Sequence, residues 1–161
     1  MPDMLVRLYD LPEAGAGPAA WKEAGIVVKR AMTPDRFPVI DFVKKTFGEA
    51  WAGECETAFA NKPVSCFVAV KDAAEVVGFA CYEATWKDYF GPTGIREAYR
   101  GMGLGTELLL RALGGLRDMG YAYGIIGGAV EAVGFYRKTV HAVVIPDSVP
   151  SIYRDRIRWK G

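Results

Sequence analysis

Apolar positions along the chain recur with a period near two in some stretches and near 3.6 in others, and each change of period marks an element. Met4–Tyr9 and the β-branched run Ile26–Arg30 predict strands. Between them, Leu11–Gly25 is rich in Ala, Gly and Pro and predicts a wrapping loop with one turn of helix at Ala19–Ala24. Thr33-Pro34-Asp35 then presents a helix start: a capping hydroxyl, a proline at the first helical position and an acid in the first turn. Phe37, Ile40, Val43 and Phe47 follow at helical spacing, and Gly48 closes that helix. A second helix is expected from Trp51 to Asn61, ending before Pro63.

Strand character dominates the next third. Ser65–Val70 and Val76–Tyr82 predict a pair of strands joined by the turn Lys71–Ala74. Tyr89–Ile95 predicts a further strand, in which Gly91 and Pro92 weaken a regular ladder and call for a bulge or bend. An apolar helical pattern then runs to about Met119 and is closed by Gly120. Tyr121–Ile126 reads as a buried strand, Glu131–Val140 as a short helix and His141–Ile145 as another strand. In the tail, Tyr153, Ile157 and Trp159 alternate with Arg154, Arg156, Arg158 and Lys160, which predicts a half-buried edge strand whose basic face blocks strand addition. The resulting order, β-α-α-β-β-β-α-β-α-β, predicts a single α/β domain with a mixed sheet: a strand and loop over 1–25, a core over 26–145 and a tail over 146–161.

Composition narrows the function classes. A net charge of +1 gives no global electrostatic case for nucleic acid or an anionic membrane. No stretch approaches the length of apolar chain that a membrane helix needs, and Met1-Pro2-Asp3-Met4 lacks the regions of a secretory signal. A cytoplasmic protein with reduced thiols is expected. Cys55, Cys66 and Cys81 are odd in number and have no CxxC spacing, so the sequence indicates neither a disulfide framework nor a metal site. They read as small buried apolar residues. His141 is the only histidine, which excludes a histidine metal cluster, and no GxSxG elbow supports a Ser-His-Asp triad.

Chemistry concentrates in Tyr99-Arg100-Gly101-Met102-Gly103-Leu104-Gly105-Thr106. Three alternating glycines let a backbone approach a ligand closely. They lead directly into a helix N-terminus, with its unpaired N–H groups and positive dipole end. That combination is an anion site, most naturally for phosphates. It is not GxGxxG, and no parallel βαβ unit with a ribose-binding acid is expected to follow. The Gly-Lys-Ser/Thr of a P-loop is missing as well.

The pattern resembles the GNAT superfamily of acetyl-CoA-dependent N-acetyltransferases. The pyrophosphate loop of that family, Arg/Gln-x-x-Gly-x-Gly/Ala, is met by Arg100–Gly105, between a strand and a long helix, and Phe135-Tyr136 stands on the helix after the next strand. The resemblance implies an acyl-CoA N-acyltransferase fold, α/β (α+β), with a mixed, mostly antiparallel sheet flanked by helices. It implies acetyl transfer from acetyl-CoA directly to a primary amine of a small molecule or peptide, without a metal. A non-catalytic acyl-CoA-binding module on the same fold is the alternative, and a homodimer stays open.

Position by position, the resemblance assigns the CoA pyrophosphate to the backbone of Arg100, Gly101, Met102, Gly103, Leu104, Gly105 and Thr106. Thr93 and Ile95 would pair with pantetheine as an added strand does, and an N–H near Ile95 would polarise the thioester carbonyl. Tyr136 matches the tyrosine that protonates the departing thiolate. The family often has its base on the strand before the loop, at positions that fall here on Tyr89 and Gly91. Neither is a carboxylate, so Glu83 becomes the candidate base, with Asp88 and Glu131 as neighbouring acids. The acceptor side maps to Glu49–Glu56, where Trp51 and Glu54 are candidates to hold a cationic amine by cation–π contact and charge. Two departures from the family stand out. Gly127-Gly128-Ala129 occupies the place of a common Asn, and Val140-His141 replaces Gly-Phe.

Overall fold

The computed structural model describes residues 1–15, 17–129 and 132–161. Its strands are β1 (Met4–Arg7), β2 (Ile26–Arg30), β3 (Cys66–Lys71), β4 (Glu75–Tyr82), β5 (Tyr89–Ile95), β6 (Tyr123–Ile126) and β7 (Val143–Val144). The helices are α1 (Ala19–Glu23), α2 (Arg36–Phe47), α3 (Glu49–Ala60), α4 (Leu104–Asp118) and α5 (Val133–Val140). One sheet runs β2-β3-β4-β5-β6-β1-β7. The β5–β6 pair is parallel, and the other pairs are antiparallel.

Period-two alternation in β4 divides the core. Ala80 and Tyr82 face α4, where Leu104, Leu108, Leu109, Leu113 and Leu116 are all buried. Phe79 and Cys81 face α2 and α3, packing with Val39, Phe42, Val43, Cys55 and Phe59. Each fully buried Leu or Phe contributes about 1.5–3 kcal/mol over an exposed one, so both helical layers are firmly held to the sheet.

The β5 bulge is found where Gly91-Pro92 predicted it. Ala80 pairs with Thr93 and Tyr82 with Phe90, so β5 carries one more residue than β4 between these pairs. Beyond Phe90, β5 also leaves β6, its last parallel partner being Ile126.

Several expectations are corrected. The tail is not an edge strand: Ile152–Asp155 forms a 3-10 turn, and Ile157 and Trp159 are exposed. Its alternation is that of an extended solvated chain whose apolar residues find no sheet. The β5–α4–β6 connection is a parallel βαβ unit after all, although the loop spacing still differs from GxGxxG. In α2 the buried stripe is Val39, Phe42 and Val43, while Phe37 is exposed, because a 3-10 turn at Thr33–Asp35 precedes the helix and shifts its start to Arg36. Thr33 does not cap that turn. Asp35 Oδ2 accepts from the Met32 N–H at 2.8 Å and from Lys29 Nζ at 2.8 Å.

Other boundaries shift. Leu8–Asp10 leaves β1 as a 3-10 turn. Strand β6 begins at Tyr123, which is exposed, and β7 keeps only two residues because His141 turns the chain with φ 54°. Helix α3 starts at Glu49, directly after Gly48 at φ 105°. Helix α5 is described from Val133, and Glu131 lies outside the described residues.

Candidate functional site

A cleft of about 640 Å³ opens between β5, the glycine loop and α5, lined among others by Phe90, Thr93, Ile95, Arg100, Leu109 and Tyr136. Phe90, Thr93 and Ile95 of β5 lie on its floor. The glycine loop forms one wall, with Gly101, Gly103, Gly105 and Thr106 on the lining. Gly101 (φ 80°) and Gly103 (φ 83°) take the left-handed conformation that glycine tolerates without strain. Gly103 immediately precedes α4, and the first residues of that helix, Leu104, Gly105 and Thr106, line the cleft. Gly105 already lies within the first helical turn.

A support for this loop comes from the N-terminal segment, where the turn of helix expected at Ala19–Ala24 forms α1. Trp21 on α1 is buried, and its indole Nε1–H donates to the Met102 carbonyl at 2.8 Å. Its ring edge also lies 3.7 Å from where a Gly103 Cβ would stand. The N-terminal segment therefore buttresses the glycine loop from behind. Arg100 is exposed and donates Nε–H to the Ile95 carbonyl at 3.4 Å, a contact that braces the loop rim. Thr93 Oγ1 donates to the Phe79 carbonyl at 2.9 Å, which fixes its side chain at the bulge.

On the opposite wall Tyr136 is 7% exposed, with the Phe90 ring edge-on at 6.2 Å and Phe135 at 5.4 Å. Burial alone pushes its hydroxyl up to about 12, so it is a neutral donor near pH 7. The two departures from the family pattern have local consequences. His141 occupies the left-handed position after α5, where a glycine would be relaxed. A Cβ at Gly127 would stand 3.1 Å from the Tyr89 ring, which leaves little room for a larger residue.

Behind β5 lies a second, aromatic site. Phe47 and Trp51 stack at 5.1 Å, both within 6.3 Å of Phe79, and Gly94 admits the Phe47 ring where any Cβ would collide with it. Glu54, one turn of α3 beyond Trp51, accepts from Thr85 Oγ1 at 2.6 Å and from Tyr153 Oη at 2.8 Å. Burial, with the Glu54 carboxylate beside it, pushes the Tyr153 hydroxyl up. Tyr153 and Thr85 were invisible to sequence reasoning; a conspicuous aromatic in the tail was the only signal. Glu49 pairs with Lys44 at 3.5 Å on the surface and Glu56 is exposed, so of the three acids only Glu54 is turned inward.

Glu83 is not among the residues lining the cleft. Its Oε1 accepts from Tyr121 Oη and from Lys87 Nζ, both at 3.2 Å, and its Oε2 is buried and unpartnered. Tyr121 follows the C-terminus of α4, so Glu83 stands at the end of that helix opposite the glycine loop. Asp3 is a further unforeseen residue. It is buried, and its Oδ1 accepts from the Gly128 N–H at 3.0 Å and from Ser151 Oγ at 2.7 Å. It ties the N-terminus, the turn after β6 and the segment carrying Tyr153 into one corner. Among the described residues no helix is long and apolar enough to cross a membrane.

Solved structures share this architecture. The chain is similar to the GCN5-related glucosamine N-acetyltransferase region of a fungal multi-domain GH3 β-N-acetylglucosaminidase, at 17% identity and a TM-score of 0.69, covering 89% of this chain and 19% of that one. It is similar to a GCN5-related N-acetyltransferase from Sphaerobacter thermophilus at 19% identity and a TM-score of 0.69, covering 89% of this chain and 48% of that one. A chain of the NatC complex, solved bound to Gag peptide and CoA, matches at 14% identity and a TM-score of 0.56, over 70% of this chain and 79% of that one. This chain thus spans about half or less of the length of the first two. No curated protein sequence matches. The profile of the acetyltransferase (GNAT) family matches residues 36–141, from the start of α2 through the glycine loop to the end of α5. With well over half of its length inside that profile, the chain belongs to the acetyltransferase (GNAT) family.

Proposed function

We propose that the protein transfers an acetyl group from acetyl-CoA directly to a primary amine, with the thioester lying in the cleft between β5 and α5. One observation carries this reading: the buried, neutral Tyr136 hydroxyl shares a cleft with the open glycine loop at the start of α4. The backbone N–H groups of Gly101–Thr106 bind the pyrophosphate, aided by the helix dipole. Backbone groups of Thr93 and Ile95, on the part of β5 that has left β6, pair with the pantetheine arm, and an N–H near Ile95 stabilises the tetrahedral oxyanion.

The amine attacks the thioester carbonyl, the C–S bond breaks, and the thiolate takes the Tyr136 proton. Glu54 and Trp51 hold the acceptor as a cation, by charge and through the ring face. Thr85 and Tyr153 keep the carboxylate in place by donating to a single oxygen, which leaves Oε2 for the amine. The amine must lose a proton before attack. Glu83 lies outside the cleft, beside Tyr121 at the far end of α4, and is not assigned this step; solvent water in the open cleft takes the proton.

Thiol release from acetyl-CoA over a panel of primary amines tests the reading. Tyr136→Phe should lower kcat by about 10²–10⁴-fold at unchanged affinity for CoA, the scale of a lost general acid. Retained turnover refutes the assignment of the acid. CoA binding without turnover on any amine returns the protein to the binding-module alternative. Glu83→Gln should leave kcat unchanged, as its place outside the cleft requires.

A further inference from the structure

Three thiols far apart in sequence meet in the second core layer. Cys55 comes from α3, Cys66 opens β3, and Cys81 stands directly opposite Cys66 on β4. Their sulfurs all lie within 4.8 Å of one another, and each residue is 0% exposed. The mechanism above uses none of them. Packing alone asks for three small apolar residues here and does not require that their sulfurs converge.

Charge and coordination select the ligand. Three thiolates bonded to one soft centre at about 2.3 Å stand no more than about 4.0 Å apart, so the sulfurs must close by up to about 0.8 Å for all three to reach it. Structural zinc needs a fourth ligand, and no histidine or carboxylate joins the trio among the described residues. A divalent ion on three thiolates would leave a net negative charge, and a monovalent ion a larger one. The buried charged side chains among the described residues are Asp3 and Glu107, so no buried cation compensates. Uncompensated charge in an apolar core costs several kcal/mol per ion. A trivalent centre with three thiolates is neutral and complete at three ligands.

We propose that Cys55, Cys66 and Cys81 form a binding site for a trivalent thiophilic centre of the arsenite class. The step balances without redox chemistry. Arsenous acid loses three hydroxides and the three thiols lose three protons, which leave as three waters. Three As–O and three S–H bonds break while three As–S bonds form. Entry requires a transient opening of α3 from the sheet, so loading is slow and limited by that opening.

The test is native mass spectrometry of the full chain incubated with sodium arsenite under reducing conditions. The expected product is a single adduct whose added mass is one arsenic less three hydrogens, with all three cysteines protected from maleimide over a time long enough to label all three in the unloaded chain. No adduct, an adduct retaining hydroxide, or protection of two thiols or fewer overturns the proposal. So does tighter loading by zinc sulfate in a parallel arm. Cys55→Ala and Cys81→Ala should each weaken loading by about 10²-fold, the scale of a lost intramolecular ligand. The wild-type mass stands by itself if a variant fails to fold.

Discussion

Replacing Trp21 by phenylalanine removes one hydrogen bond while keeping most of a buried ring, so it isolates what the indole N–H does for the glycine loop. The bond to the Met102 carbonyl is 2.8 Å long, and Met102 is half-buried. Water can reach that carbonyl in the variant, so the loss belongs near the middle of the usual range, about 1 kcal/mol. Met102 lies between Gly101 and Gly103, both in the left-handed conformation. The loop is short and the Trp21 contact holds its middle residue, so this loss is expected to fall on cofactor binding. A cost of about 1 kcal/mol is roughly a fivefold rise in the dissociation constant for CoA, since 1.4 kcal/mol is tenfold. The KM for acetyl-CoA should rise with it and kcat stay within about twofold, the signature of lost uniform binding. Calorimetry with CoA and steady-state thiol release measure the two. A lower melting temperature with an unchanged CoA dissociation constant would refute the reasoning, because Trp21 would then serve only the core. Trp21→Ala discriminates less well, as deleting the ring costs about 3–5 kcal/mol of packing as well.

Further outcomes follow from other contacts. Gly94→Ala drives a Cβ into the Phe47 ring; a loss of about 1–3 kcal/mol in urea unfolding is expected, with weaker acceptor binding beside Trp51. Asp3→Ala frees the Gly128 N–H and Ser151 Oγ together, and should lower stability by about 2–3 kcal/mol and loosen the segment that delivers Tyr153, read by hydrogen exchange. His141→Gly relieves a left-handed non-glycine residue and should raise stability by about 1 kcal/mol, seen as a higher melting temperature. The Tyr136 hydroxyl, pushed up to about 12 by burial, is protonated at every pH below that value. The kcat profile should therefore show no loss from this acid up to pH 10, the ordinary tyrosine value of about 10 notwithstanding; a descending limb that Tyr136→Phe abolishes would contradict it.

What could be read from the chain alone was local. Glycine spacing, the helix start after it and the strand before it are decided by backbone sterics and by period, so Arg100–Thr106, the bulge at Gly91-Pro92 and the long leucine-rich helix were legible from residues a few positions apart. The family resemblance rested on this same short-range grammar, and Tyr136, which it singled out, stands on α5 and lines the cleft with the loop.

Tertiary structure decided whatever depends on meetings between distant segments. Trp21 reaches Met102, Tyr153 and Thr85 converge on Glu54, and Asp3 binds Gly128 and Ser151. Cys55, Cys66 and Cys81 come together only when α3 lies on the β3–β4 pair. None of these contacts leaves a trace in periodicity, because a hydrogen bond or a sulfur cluster constrains one side chain and not a repeating face. The tail shows the converse: Tyr153–Lys160 alternates as a strand does, yet alternation becomes a strand only where a sheet edge is available to pair with it.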